Sequence, residues 1–397
     1  MSHHPPQGFR LTGLHCGIKS DAQKHDLTLI ASDRPASAAG VYTQNRVCAA
    51  PVTLDRERTP GDAMQTIIIN SGNANACTGQ RGLDDARQMA QLAAEACGVA
   101  PEQALVLSTG IIGEFLPMDQ IATGITAAAG QLGSSAEDLA AAAAGMMTTD
   151  TVPKVAGRTL TIDGAEIRIT GMAKGAAMIG PNMATMLGVV LTDAALAPAD
   201  AQALLAAAVD DSFNCISVDG HTSTNDTVLL LANGAAGAAS LAGEALNTFA
   251  AALREVCIEL ARAIPADGEG AEHLITIDVQ GCADRASAHK IAKTVADSPL
   301  VKTAVTGADP NWGRIVSAAG YSGVPIDPAG VDLVVNDTLL YQQGAPVPFD
   351  AAAVSQSIRA HRDTSIVLTF TEGSAQARFW TTDLTAEYVR LNADYHT

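Results

Sequence analysis

The residues best suited to covalent chemistry lie between Gly171 and Asp193. Lys174 sits in a Gly/Ala-rich loop, Pro181-Asn182 turns the chain, and an apolar strand is predicted over Ala184 to Leu191, with Thr185 at its mouth. A hydroxyl there would be fixed by the strand and approachable past small neighbours. Threonine is a weak nucleophile unless a base activates it. Its own α-amine, with a pKa of about 7.7–8.0, suits proton transfer near neutrality. That amine exists only once the bond between Ala184 and Thr185 has been cut. The hydroxyl can make the cut itself by attacking the Ala184 carbonyl, and water then hydrolyses the ester. The stiff χ1 of threonine keeps the oxygen aimed. Spacing alone fits equally well an inward strand threonine bonded to the backbone.

Further blocks accompany this stretch in a fixed order. They are Gly40 to Asn45, Ala50-Pro51-Val52, Asn70 to Gly79, Ser108 to Gly113, Thr148 to Lys154, Ser223 to Thr227, Asp267-Gly268-Glu269-Gly270, Asp309 to Arg314 and Asn392 to Thr397. Together with Lys174-Gly175 and Pro181 to Leu187, they resemble the self-processing ornithine acetyltransferase family along almost the whole chain. The resemblance implies an α/β fold: an αββα-type, N-terminal-nucleophile-like layered domain and a smaller C-terminal α/β domain that closes the site. It also implies cleavage between Ala184 and Thr185. The new N-terminal threonine would then carry acetyl from N-acetylornithine to glutamate, a step of arginine biosynthesis. The processed chains are expected to stay together as an α2β2 heterotetramer. No bound cofactor is expected. Some members of the family also use acetyl-CoA, and no phosphate-cradling Gly-rich motif is visible here.

The same resemblance assigns roles. Thr185 is the nucleophile, and Thr109 with Gly110 stabilises the oxyanion, where donors must meet developing negative charge. Thr151, Lys174, Thr185, Glu269, Asn392 and Thr397 contact substrate; Lys174 suits a carboxylate and Glu269 a cationic amine. On residue type alone, Ser108-Thr109-Gly110 reads as a strand-ending turn, Lys174 as a solvated lysine and Asp267 to Gly270 as a polar turn. The chain departs from the family pattern at five positions. Ala176 and Ala177 stand where Ser-Gly is usual, Glu272 and His273 where Thr-Lys is usual, and His221 where Asp is common. The first pair bears on processing, since Ala177 gives up a glycine's access to positive φ. The others are expected to shift substrate charge preference.

Alternating helical and strand-like segments must position these groups. A helix is predicted over Leu83 to Ala96, a strand over Ala104 to Leu107, and a capping box at Ser134 to Glu137 opens a helix to about Met147. Arg158 to Thr170 alternates around Asp163-Gly164 as a hairpin. Pro198 starts one helix, and Glu244 to Ile264 forms another. His273 to Val279 reads as a strand. A boundary near Gly281 divides a self-processing core (1–280) from a C-terminal domain (281–397). In the latter, a helix over Asp284 to Asp297, a strand over Leu300 to Val305 and a hairpin over Val331 to Gln342 are expected.

Composition narrows the remaining classes. Of 397 residues 47% are hydrophobic and 17% charged, with a net charge of -18, which fits a compact globular chain and disfavours nucleic-acid partners. Seven cysteines without a C-x-x-C pair read as reduced thiols, and the nine histidines supply no zinc cluster. No signal peptide or apolar run of membrane-spanning length is seen, so a cytoplasmic location away from membranes is expected. Two other functions compete: an N-terminal-nucleophile amidase or aminopeptidase passing its acyl group to water, and an unprocessed, non-enzymatic relative.

Overall fold

The computed structural model describes residues 3–180, 186–237 and 239–394. Ala184 and Thr185, with the expected cleavage bond, and Thr397 lie outside the described residues.

Strands β1 (Phe9–Leu14), β2 (Leu27–Tyr42), β3 (Gly61–Asn73), β4 (Ala104–Ile111), β5 (Lys154–Ile162), β6 (Ala165–Lys174), β7 (Leu187–Thr192) and, after the two-residue β8 (Ile216–Ser217), β9 (Thr227–Ala232) carry most of the first half of the chain. All but β8 join in one network ordered β4-β3-β2-β9-β7-β6-β5, with β1 beside β2. The long β2 folds this network over. Its register with β3 breaks between Ala31 and Ala36, where Asp33 to Pro35 are exposed; its first half pairs with β1 and β3, and Ser37 to Tyr42 pair with β9. Alternate residues of the two halves then face each other. Phe9, Leu11, Ile67, Ile69, Leu105 and Leu107 share one core with Met172, Val189, Leu191, Leu229 and Leu231. On the outer side of one layer, Leu27, Leu29, Ile68 and Val106 pack under the helices Ala50–Arg58, Gly79–Cys97 and Met118–Ala129. On the outer side of the other, Ile167, Ile169, Val190 and Leu230 pack under Pro198–Asp210 and Gly243–Ala266. The layers run α-β-β-α, as expected.

The second sheet comprises β10 (Leu274–Cys282), β11 (Asp332–Val335), β12 (Thr338–Gln342), β13 (Ala345–Pro346), β14 (Asp363–Thr369) and β15 (Ala375–Thr382). Its order is β13-β12-β11-β14-β10-β15-β8. The division expected at residue 281 thus falls inside β10, and β8 reaches across from the earlier part of the chain to pair with β15. One cluster of buried side chains runs from β6, β7 and β9 through the helix Gly243–Ala266 into the second sheet, so the two parts share a core.

Most expected elements are present. The hairpin turn at Asp163-Gly164 has φ of 50° and 79°, and Asn336-Asp337 turns β11 into β12 with φ of 43° and 63°. Both pairs suit the type I′ turns that two-residue hairpins prefer. The capping box is displaced by one residue: Ser135 caps, its hydroxyl accepting the Asp138 N–H while Asp138 reaches back to the Ser135 N–H. Leu300 to Val305 is a helix, Pro299–Thr306, and not a strand. A short apolar run fits either state; here Ser298 accepts the Val301 N–H as N-cap and Pro299 opens the first turn. The seven cysteines are free; Cys215, Cys257 and Cys282 are buried, while Cys77 is exposed. Among the described residues no helix is long and apolar enough to cross a membrane.

Candidate active site

A cavity of about 260 Å³ opens where the first core meets the C-terminal helix Ala386–Asp394. Thr109, Gly110, Lys174, Glu269 and Asn392 all line it. Strand pairing brings these residues together. Thr109 and Gly110 are the end of β4 itself, not a turn after it, and run beside Ser71 to Asn73 of β3. Gly110 has φ of 134°, and a Cβ there would stand 2.2 Å from the Gly72 carbonyl carbon, so no other residue fits this crossing. Asn225 stitches the wall behind, its amide donating to the carbonyls of Ala74 (2.7 Å) and Ser108 (2.8 Å).

Lys174 ends β6 and pairs with Leu187, the first residue of β7, while Leu187 also pairs with Thr227 of β9. The chain that ends at Lys174 and the chain from residue 186 are thereby held in adjacent strands: the Met186 N–H donates to Asp226 Oδ1 at 2.9 Å and the Thr227 N–H to the Met186 carbonyl at 3.2 Å. Lys174 Nζ is buried and donates to Thr109 Oγ1 at 3.3 Å. That contact leaves the Thr109 hydroxyl hydrogen free to point into the cavity, the geometry an oxyanion donor needs. Burial pushes the Lys174 ammonium down, with Asp150 acting in the opposite sense.

Asp150 is the centre of a buried charge network. Its Oδ1 accepts from Lys154 Nζ (2.6 Å) and the Gly175 N–H (2.7 Å), and its Oδ2 from the Thr148 N–H (3.1 Å). Lys154 also reaches Asp267 Oδ2 at 2.7 Å. Burial would raise the Asp150 carboxyl, but Lys174 and Lys154 more than offset it and hold it at about 2. Thr151 donates its N–H and hydroxyl to Asp267. It does not line this cavity but faces a neighbouring one. Among the described residues, Thr151 is thus the expected substrate contact that the fold sets apart from this cavity.

Glu269 and Asn392 touch each other, Asn392 Nδ2 donating to Glu269 Oε2 at 3.0 Å. The Asp267 to Gly270 turn docks the C-terminal helix: Thr385 donates to the Gly270 carbonyl at 2.6 Å, and a Cβ on Gly270 would meet the Tyr388 nitrogen at 2.5 Å. Glu272 and His273 behave otherwise than expected. Neither lines the cavity. His273 is buried, with Nδ1 2.9 Å from Asp383 Oδ2 and Nε2 3.2 Å from the Ile358 carbonyl. Together with Glu272, these two form the cluster of potential metal ligands found among the described residues. With both ring nitrogens engaged by protein acceptors, His273 serves as a tie between β10 and the chain after β15. The loop after Lys174 is accommodated without strain at Ala177, since Gly175 and Met178 take the positive φ values, 151° and 56°.

Asp219 and Tyr388 are cavity residues that the sequence did not single out. Asp219 accepts the N–H groups of Met178 (2.7 Å) and Ile179 (2.9 Å) and the Tyr388 hydroxyl (3.1 Å), tying the loop ahead of residue 181 to the C-terminal helix. Tyr388 stands four residues before Asn392, hence on the same helical face, a spacing that could have found it. His221 lines the cavity, as does Asp219, so of the five departures it is the titratable one on the cavity wall.

The ArgJ family model matches residues 10–397. The arginine biosynthesis bifunctional protein ArgJ of Rhodopirellula baltica is 47% identical over 100% of this chain and 97% of its own length. That of Symbiobacterium thermophilum is 50% identical over 99% of this chain and 98% of its own. Among solved structures, the arginine biosynthesis bifunctional protein argJ of Bacillus halodurans shares 38% identity with a TM-score of 0.50, covering 51% of this chain and 96% of that one. The cavity is therefore that of an arginine-biosynthesis enzyme, and this chain belongs to the ArgJ family.

Proposed function

We propose that the chain is a glutamate N-acetyltransferase that cuts itself between Ala184 and Thr185 and then moves acetyl from N-acetylornithine to glutamate through an acetyl-Thr185 ester. The observation that carries this reading is the convergence of Thr109, Gly110, Lys174, Glu269 and Asn392 on one cavity, with Lys174 paired to Leu187 at the start of the strand that follows residue 186. In transfer, the Thr185 hydroxyl oxygen bonds to the acetyl carbon, its proton passing through the α-amine to the departing ornithine nitrogen as the amide C–N bond breaks. Thr109 and the Gly110 N–H carry the oxyanion. Glutamate's amine then takes the acetyl group and returns the proton. Lys174 meets the substrate carboxylate and Glu269 the ornithine amine. Donor and acceptor are both small amino acids, which a cavity of about 260 Å³ suits better than a peptide.

The two halves remain one molecule because Ile169 to Lys174 pair with Leu187 to Thr192 across the cut. Two such pairs assembling as α2β2 complete the proposed state. N-terminal sequencing of the purified protein tests the first step: a Thr185 N-terminus is expected, and Thr185→Ala should leave a single 40.6 kDa chain without transfer activity. Transfer at the wild-type rate in that variant would assign the chemistry to another residue.

A further inference from the structure

The loop that leads from Lys174 toward the bond to be cut is held residue by residue. The Gly175 N–H donates to Asp150, the Ala176 carbonyl accepts the Glu269 N–H at 2.9 Å, and the Met178 and Ile179 N–H groups donate to Asp219. Ile179, five residues before Ala184, is clasped from both sides. Its N–H meets Asp219 Oδ1, and its carbonyl accepts three N–H groups at once, those of Val218 (2.8 Å), Asp219 (3.2 Å) and Gly220 (3.1 Å). A carbonyl has two lone pairs, and three donors hold this one more firmly than satisfying it requires. Gly180 follows so close to the same turn that a Cβ there would stand 2.5 Å from the Gly220 carbonyl carbon. Met178 has φ of 56°, a left-handed conformation that costs a residue with a side chain energy, and its N–H bond to Asp219 offsets that cost.

The clasp is set from the second part of the chain. Lys302, buried in the helix Pro299–Thr306, donates to the carbonyl of Val218 and to the hydroxyls of Thr382 (3.1 Å) and Thr381 (3.3 Å). The Val218 carbonyl and the Asp219 N–H belong to one planar trans peptide and point in opposite directions. The lysine that holds the first therefore aims the second at Ile179. Asp297 accepts from the neighbouring Ser217 hydroxyl, and Tyr388 bonds to Asp219 itself. We propose that Asp219 is a positioning residue for self-cleavage and that Lys302 sets its turn, so that the cut waits until the second sheet and its helices have docked. The inference rests on the cleavage reading above. In that step the Thr185 oxygen bonds to the Ala184 carbonyl carbon, the peptide C–N bond breaks, the hydroxyl proton passes to the freed nitrogen, and water hydrolyses the ester. Ile179 is fixed on one side of that bond and Met186 is held by Asp226 on the other, with six residues between the two anchors. Misplacing reacting groups by about 1 Å can cost about a hundredfold in rate, so anchors this near govern the step.

Cell-free synthesis of the full chain, followed in time on denaturing gels, measures how fast the 40.6 kDa precursor gives two fragments. Asp219→Ala is expected to slow that rate by about tenfold to a hundredfold, and Asp219→Asn, which keeps one acceptor oxygen, by less. Lys302→Met should slow cleavage by about tenfold, while transfer from N-acetylornithine per liberated Thr185 N-terminus stays within about twofold of wild type, since Lys302 does not line the cavity. Thermal melting of each variant in a Thr185→Ala background reports its folding apart from its cleavage. Cleavage at the wild-type rate in both Asp219 variants overturns the proposal, and so does slowing that only tracks a loss of folded chain. Slow cleavage in the Asp219 variants beside wild-type cleavage in Lys302→Met overturns the dependence on the second part. If Lys302→Met does not fold, the graded pair at Asp219 decides. A wild-type chain that never cleaves would instead strike the reading of the cut between Ala184 and Thr185, so the two failures are distinguishable.

Discussion

Lys174 feels two buried carboxyl groups whose pKa values are shifted in opposite directions. On the side of the loop, Asp150 is met by Lys154, by Lys174 and by two backbone N–H groups, and it stays ionised to about pH 2. On the side of β9, Asp226 is equally buried but accepts one backbone N–H, that of Met186, through Oδ1, while Oδ2 has no partner among the described residues. Burial pushes the Asp226 carboxyl well above the usual carboxylate range. Both are buried, and the local partners decide the direction of the shift. The chain before residue 181 is thus anchored by a charge network, and the chain from residue 186 by a carboxyl whose ionised form burial disfavours.

The largest effect that can break this contrast is expected from Asp150→Asn. It leaves Lys174 without its nearest countercharge and Lys154 with Asp267 alone. Removing one partner of a buried charge pair costs about 3–5 kcal/mol, so chemical denaturation should show a loss of that order, accompanied by loss of transfer. Asp226→Asn puts an amide of nearly the same shape in place of a carboxyl whose protonated form burial favours, and it can still accept from Met186; below about pH 4, where the acid is protonated in folded and unfolded chain alike, its stability should lie within about 1 kcal/mol of wild type. Equal losses in the two variants would mean that Asp226 is also charged, and the comparison would fall.

Acid titration sharpens the contrast because the two slopes have opposite signs. Asp150 has a folded pKa below its unfolded value, so between about pH 4 and pH 2 the unfolded chain binds the extra proton. Its contribution is present above that window and is lost as pH falls through it, by about 2 kcal/mol in all. Asp226 has a folded pKa above its unfolded value, so the folded chain holds the extra proton. Its contribution is full below about pH 4 and declines as pH rises. Measured as differences from wild type between pH 3 and pH 7, the deficit of Asp150→Asn should therefore shrink on acidification. Over the same range, Asp226→Asn should gain on wild type as pH increases. Parallel lines would show that neither group titrates differently in the folded chain.

The contrast also explains what could be read from the residues beforehand. Elements with a regular period or a turn of fixed chemistry were legible: the Asp163-Gly164 hairpin, the helix opened by Pro198, the β4 run. The Pro299–Thr306 helix was not, because its strand-like apolar run outweighs a cap that only the Ser298 geometry reveals. Family blocks delivered Lys174, Thr109, Gly110, Glu269 and Asn392, all of which meet in the cavity, while Thr151 and the pair Glu272 and His273 lie off its lining. The states of Asp150 and Asp226 were beyond reach, since each depends on partners tens of residues away in sequence.

The smallest effect is expected at His221, where the charge balance of the cavity itself is at stake. The cavity already holds two carboxyl side chains, Asp219 and Glu269, against Lys174. His221→Asp restores the residue common in the family and adds a third. N-acetylornithine carries one carboxylate and one ammonium, whereas glutamate is a net anion, so the added charge should disfavour the acceptor more than the donor. For an exposed side chain in high dielectric, a shift of under about 1 kcal/mol is reasonable, or an increase of about two- to fivefold in the KM for glutamate with little change for N-acetylornithine. Because the interaction is a screened one, it should fade between low salt and about 1 M salt, where the Debye length is about 3 Å. A glutamate KM that stays put at low salt, or a change indifferent to salt, would mean that His221 faces the cavity without setting its preference.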